Sequence, residues 1–130
     1  MTTGTTYIHT FKVTPDVYEG FIEISQDRNP LHTNAGFAQS KGFKGRVMHG
    51  NILNCFVSYF VGECLPVKNV IIHSQSIAFS LPVYVDNELT FHAELTGVFE
   101  SVNTYEFKFY FKNDEGKKIA KGKVQIGLLT

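Results

Sequence analysis

The sequence predicts an α+β domain in which a curved antiparallel β-sheet wraps around one long central helix. Three observations carry that expectation. A stretch with a two-residue period opens the chain, four more close it, and between them runs an almost unbroken apolar segment of helical length. A sheet of alternating strands has one face to bury, and a helix without a polar face must be covered on most sides, so each supplies what the other lacks.

Residues 5–13 set Tyr7, His9, Phe11 and Val13 against Thr6, Ile8, Thr10 and Lys12, a strand in which His9 is an ordinary member. Thr14-Pro15-Asp16 starts a helix, with Thr14 as cap, Pro15 in the first turn and acidic Asp16 near the positive end. That helix carries Val17, Tyr18, Phe21, Ile22 and Ile24 and stops before Asp27. Residues 34–40 read as a short helix capped by Asn34 and stopped by Gly42, with Phe37 and Phe43 anchoring the loop to the core. The central helix spans residues 50–63, where Ile52, Leu53, Cys55, Phe56, Val57, Tyr59, Phe60 and Val61 leave almost no polar side. In such a helix Ser58 is the polar exception, and a buried helical serine ordinarily bonds back to its own preceding turn. Strands follow over residues 70–81, 87–99, 104–112 and 118–128, separated by turn signals at Pro82, Ser101-Val102-Asn103 and Asn113-Asp114-Glu115-Gly116. No internal repeat or linker interrupts this order, so residues 1–130 are expected to form one domain.

Acidic and basic residues cancel, at twelve each, which removes the global field that would hold a nucleic acid or an anionic membrane. Lys108, Lys112, Lys117, Lys118, Lys121 and Lys123 crowd the last strands, as a solvated face and edge protection or as a contact for phosphates or an acidic carrier protein. Gly42-Phe43-Lys44-Gly45 is a turn, since no phosphate-loop Lys-Ser/Thr follows it. Cys55 and Cys64, on one helix, would stand roughly 13 to 14 Å apart, too far for a disulfide, and are expected as buried free thiols. The histidines are scattered at His9, His32, His49, His73 and His92 without zinc-ligand spacing, so no metal is expected. Residues 1–6 are polar and show neither a leader nor a membrane span, which makes a cytoplasmic location the default.

The chemistry concentrates in residues 25–51. Asp27 and His32 cannot share a face of a regular element, because on a helix they would sit about 140° apart and on a strand they would oppose each other. An irregular loop is expected to unite them. Pro30 supplies it by fixing φ and pushing Asn29 out of the α region, and Asn29 can bond nearby backbone groups and stiffen the bend. A carboxylate beside an imidazole suits proton transfer near neutral pH. The same residues also suit plain turn chemistry, with the acid capping the next turn and the histidine exposed. The second half of the stretch favours chemistry: His49-Gly50 opens the central helix, whose free N–H groups and positive dipole end form an oxyanion site.

Asp27, Asn29, Pro30, Leu31 and His32, followed by His49-Gly50 at the head of a long helix, resemble the MaoC-like family of (R)-specific enoyl-CoA hydratases, which have the hotdog fold. The likeness extends through Gln75, the segment Phe79-Ser80-Leu81-Pro82-Val83 and the last two strands. It departs at Gln26, where the family usually has glycine. The resemblance implies reversible hydration of a trans-2-enoyl thioester, with Asp27 and His32 holding the water and the Gly50 N–H binding the thioester oxygen. It implies supporting roles for Asn29, Pro30, His49 and Gln75, and it places the serine matching Ser58 at the active site. It further implies a homodimer acting on coenzyme A or carrier-protein thioesters, with no metal or redox cofactor. A hotdog thioesterase, a 3-hydroxyacyl carrier-protein dehydratase and a non-catalytic acyl-binding subunit are the alternatives.

Overall fold

The computed structural model describes residues 1–130. Strands β1 (Thr6–Lys12), β2 (Val70–Phe79), β3 (Glu88–Phe99), β4 (Thr104–Lys112) and β5 (Lys118–Leu128) form one antiparallel sheet in the order β1-β3-β4-β5-β2. The period of two decides which side of it is dry. In β4, Phe107, Phe109 and Phe111 are buried while Lys108 and Tyr110 turn to the other face, and β3 buries Leu89, Phe91, Ala93 and Leu95 in the same way. Against that inner face lies α4 (Ile52–Tyr59), extended by a π-helical turn over Phe60–Cys64. Phe60 is fully buried, with its ring 5.0 Å from Phe91 and 5.3 Å from both Tyr7 and Phe107. This is the hotdog arrangement, and no helix in it is long and apolar enough to cross a membrane.

Before the central helix come α1 (Pro15–Ser25), α2 (Pro30–Thr33) and α3 (Ala35–Ser40). Thr14 caps α1 by accepting the Val17 N–H, and Asn34 caps α3 by accepting that of Phe37. Leu65 adopts an extended conformation, as the following Pro66 requires, and ends the helical run.

Several expectations need correction. The regular central helix starts at Ile52 rather than at residue 50, because Ile52 N–H bonds the His49 carbonyl and Leu53 N–H that of Gly50, a tighter winding than the α-helix. The helix is not covered all round within one chain. Val57, Phe60 and Val61 face the sheet, whereas Cys55, Ser58, Tyr59 and Gly62 form an exposed stripe at helical spacing. Both thiols are free, yet Cys55 is exposed and Cys64 only half-buried, since a single sheet covers a single side. Phe37 is also more exposed than expected. It lies under the Lys41 ammonium at 5.4 Å, and its neighbour Ala38, one helical step round, takes the buried place in α3.

Candidate active site

Helix α1 ends on Gln26, whose φ of 59° places a non-glycine residue in the left-handed region. Its N–H bonds the Ile22 carbonyl and its side chain bonds that of Glu23 at 2.6 Å, so the turn caps the helix twice. The reversal carries Asp27 off the helix axis. Asp27 Oδ1 accepts the Asn29 N–H at 3.1 Å, and Asn29 Oδ1 accepts the Leu31 N–H at 3.0 Å. With Asn29 as cap and Pro30 at its first position, the next residues wind into the single turn of α2. His32 therefore stands on a short helix and not in an irregular loop, while Asp27 lies outside it, which frees the pair from the geometry of a shared element.

A second segment runs alongside. Val47 bridges Tyr84, Met48 N–H bonds the Val83 carbonyl, and Val47 N–H bonds that of Leu31. These ties place His49 over His32, with ring centroids 3.7 Å apart and planes 24° from parallel. Asp27 Oδ2 lies 3.4 Å from His49 Nε2 and 3.8 Å from His32 Nε2.

Each ring's tautomer follows from its other contacts. His49 Nε2 lies 2.8 Å from the backbone carbonyl of Asp27, which can only accept, so that nitrogen carries the hydrogen. Its Nδ1 then accepts from the Tyr18 hydroxyl at 3.1 Å. Burial pushes the Tyr18 phenol up to about 12, so it keeps its proton and remains a donor. Burial likewise pushes His49 below its ordinary value, more strongly than the Asp27 carbonyl raises it. His32 has the opposite tautomer: its Nδ1 donates to the Val47 carbonyl at 2.7 Å, leaving the Nε2 lone pair toward Asp27. Around these groups Arg46 bonds the His32 carbonyl at 2.8 Å and pairs with Glu19 at 3.2 Å.

Ligand atoms of Asp27, His32 and His49 lie within 4.8 Å of one another, close enough to gather about a metal ion. The separation of these histidines in sequence concealed their convergence. The donor set fits a metal poorly, because His49 Nε2 is already committed as a donor to a carbonyl and would have to surrender that bond to ligate.

Gly50 follows directly. Neither its N–H nor that of Asn51 meets an acceptor in the protein. Both residues line a cavity of about 390 Å³ with Phe79, Ser80 and Leu81, and a Cβ on Gly50 would sit 2.7 Å from the Phe79 ring. Gln75 donates to Asn54 Oδ1, and Asn54 in turn donates to Asn51 Oδ1 at 3.0 Å. The structure thus gathers Asp27, His32 and His49, with Asn29 and Pro30 shaping the turn, and it puts Gly50 and Gln75 around the head of α4. Ser58 stands apart on the exposed stripe and makes no side-chain hydrogen bond. Sequence reasoning assigned no site role to Tyr18, Asn51 or Asn54. The one available signal was that a buried tyrosine hydroxyl needs a partner.

The MaoC like domain model matches residues 2–114. The (R)-specific enoyl-CoA hydratase of Aeromonas caviae is 39% identical over 80 residues, 62% of this chain and 60% of that protein. The mitochondrial 3-hydroxyacyl-[acyl-carrier-protein] dehydratase of Arabidopsis thaliana is 30% identical over 94 residues, 72% of this chain and 55% of its own length. The match thus spans at most three fifths of either curated relative. Among solved structures, an (R)-hydratase from A. caviae involved in PHA biosynthesis superposes with a TM-score of 0.92 at 27% identity, covering 99% of this chain and 98% of that one. An unliganded R-hydratase from Pseudomonas aeruginosa gives 0.90 at 25% identity, over 98% and 82% of the two chains.

Proposed function

Because this chain belongs to the MaoC-like domain family, we propose that it is an (R)-specific enoyl-CoA hydratase, reversibly converting a trans-2-enoyl thioester into the (R)-3-hydroxyacyl thioester. The observation that carries the reading is the Asp27 carboxylate set beside both imidazoles, with Oδ2 3.8 Å from Nε2 of His32 while the Nδ1 of that ring is taken by the Val47 carbonyl. A water between them donates to one and is steered by the other. As its oxygen bonds to C3, its proton passes to the Asp27–His32 pair and the alkene electrons move onto the thioester oxygen. The pair then returns a proton to C2. Positioned proton transfer of this kind contributes about 10²- to 10⁴-fold. The free Gly50 N–H is the donor for the oxygen that gains charge. His49 grips the Asp27 backbone, and Asn29 and Pro30 hold the carboxylate's approach. The step is redox-neutral and runs on protein groups alone, with no metal or cofactor.

The working form in this proposal is a homodimer joined along β2. That strand is an edge of the sheet, bonded to β5 on one side only, with Ile71 and Phe79 exposed, and the bare stripe of α4 holds Ser58 where a second copy would complete an acyl pocket. The similarity to a carrier-protein dehydratase favours one second reading, the reverse reaction on a carrier-bound substrate. The test is to supply crotonyl-CoA and determine the configuration of the product. An (R)-3-hydroxybutyryl thioester supports the proposal. Release of free thiol makes the protein a thioesterase, no consumption makes it a binding subunit, and preference for the carrier-bound thioester selects the second reading.

A further inference from the structure

We infer that the side-chain amide of Asn51 binds the pantetheine arm of the substrate, donating to the arm's amide carbonyl just beyond the thioester. The inference rests on the thioester reading above and adds a recognition group to it. Three observations carry it. Exposure rises step by step from buried His49 through half-buried Gly50 to exposed Asn51, and Asn51 shares the lining of one cavity with Gly50, which carries the proposed oxyanion donor. A thioester with its oxygen at Gly50 and its acyl chain inward sends its thiol side toward solvent, where Asn51 is the next and more exposed residue.

The amides of Gln75, Asn54 and Asn51 form a directed chain, Gln75 Nε2 to Asn54 Oδ1 and Asn54 Nδ2 to Asn51 Oδ1. That direction turns the Asn51 oxygen toward Asn54 and leaves its Nδ2 without a partner in the protein. With its oxygen held toward Asn54, the amide keeps both N–H donors available for a ligand, which suits a carbonyl partner. The arm of coenzyme A and of holo-carrier proteins offers such a carbonyl. The chain also runs back to β2, so the amide is held by the sheet and does not swing freely, which limits the ordering cost of binding.

Coenzyme A has the arm but no thioester, which makes the test direct. Dissociation constants of coenzyme A, butyryl-CoA and adenosine 3′,5′-bisphosphate are measured by calorimetry for the parent and for Asn51→Ala. One lost hydrogen bond should weaken coenzyme A and butyryl-CoA alike, by about three- to tenfold, and leave the bisphosphate unchanged. Asn54→Asp should weaken both without touching ligand, since Asn51 must then turn its Nδ2 inward and offer an oxygen. Weakening of butyryl-CoA alone would move the contact to the thioester and overturn the inference, as would no effect on either ligand or no binding of coenzyme A by the parent. A holo-carrier protein run in parallel reads the same loss if it is the preferred source of the arm. Binding requires no turnover. A parent that binds coenzyme A through Asn51 but leaves crotonyl-CoA unchanged would therefore sink the hydratase reading and leave this one standing.

Discussion

Tyr18→Phe removes one oxygen from a fully buried ring and tests the hydrogen-bond logic of the site. Three acceptors surround that hydroxyl: His49 Nδ1 at 3.1 Å, the His32 carbonyl at 3.2 Å and the Val47 carbonyl at 3.4 Å. The carbonyls have other donors, in Arg46 Nε at 2.8 Å and His32 Nδ1 at 2.7 Å. His49 Nδ1 has none. The variant strands one buried acceptor, at a cost of about 1–3 kcal/mol, partly offset because the phenol no longer has to leave water. A net loss of about 1–2 kcal/mol should lower the melting temperature of a chain this size by roughly 3–10 °C. Thermal unfolding followed by circular dichroism reads that loss. Two-bond ¹H–¹⁵N spectra of the imidazoles read the cause: His49 should carry its hydrogen on Nε2 in the parent and lose that fixed state in the variant. An unchanged melting temperature would mean that the phenol serves the carbonyls instead. A parent His49 protonated on Nδ1 would refute the reasoning outright, because the Asp27 carbonyl would then face a bare nitrogen.

Asp27→Asn and His32→Ala should each reduce crotonyl-CoA hydration by about 10²-fold or more while melting close to the parent, and parental turnover in either would remove that residue from the mechanism. Gly50→Ala drives a methyl into the Phe79 ring, and displacing groups at a reacting centre by about 1 Å costs about 10²-fold in kcat/KM. Since that ring is half exposed, Gly50→Ala combined with Phe79→Ala should recover part of the loss, and no recovery would show that the ring is not the obstacle. His49, held below its ordinary value when folded, takes up its proton more readily when the chain unfolds. The unfolded state then binds more protons from about pH 6.5 downward, so stability falls on acidification through that range. Urea midpoints at pH 7.5 and 5.5 measure the slope, which His49→Gln should flatten, leaving the part from His92, lowered by burial and Lys112. Lys108 and Lys123 stand directly opposite on β4 and β5 with no carboxylate within ion-pair distance, so Lys123→Glu should stabilise by about 0.2–1 kcal/mol, seen as a higher melting temperature.

The strands were legible because alternation is a strong local signal: the Phe107, Phe109, Phe111 series survives intact as the inner face of β4. The caps Thr14 and Asn34 and the turn at Asn113 were legible for the same reason, since a few adjacent residues settle each. Coverage, by contrast, is not encoded in local pattern. The apolar run around Cys55 and Tyr59 looks buried on composition, and only the three-dimensional fact that one sheet covers one side reveals the open stripe. Gln26 teaches a related lesson. The left-handed turn that glycine would make freely costs a non-glycine residue about 1 kcal/mol or more. Here the side chain bonds the Glu23 carbonyl and accepts from Arg28 at 3.1 Å, recovering part of that cost with contacts glycine lacks.

The site itself divides along the same line. Asp27, His32 and the His49-Gly50 pair could be named from spacing, whereas the division of labour between the histidines could not. Both rings touch Asp27 and they stack on each other, so a sequence reading has no reason to separate them. Backbone carbonyls do the separating. The Val47 carbonyl engages His32 at Nδ1 and leaves Nε2 toward Asp27, while the Asp27 carbonyl engages His49 at Nε2. In the proposed mechanism this leaves one imidazole to exchange protons and the other to hold the acid's backbone in place. That asymmetry depends on two main-chain oxygens, contributed by a short bridge segment and a left-handed turn, and it exists only once the chain has folded.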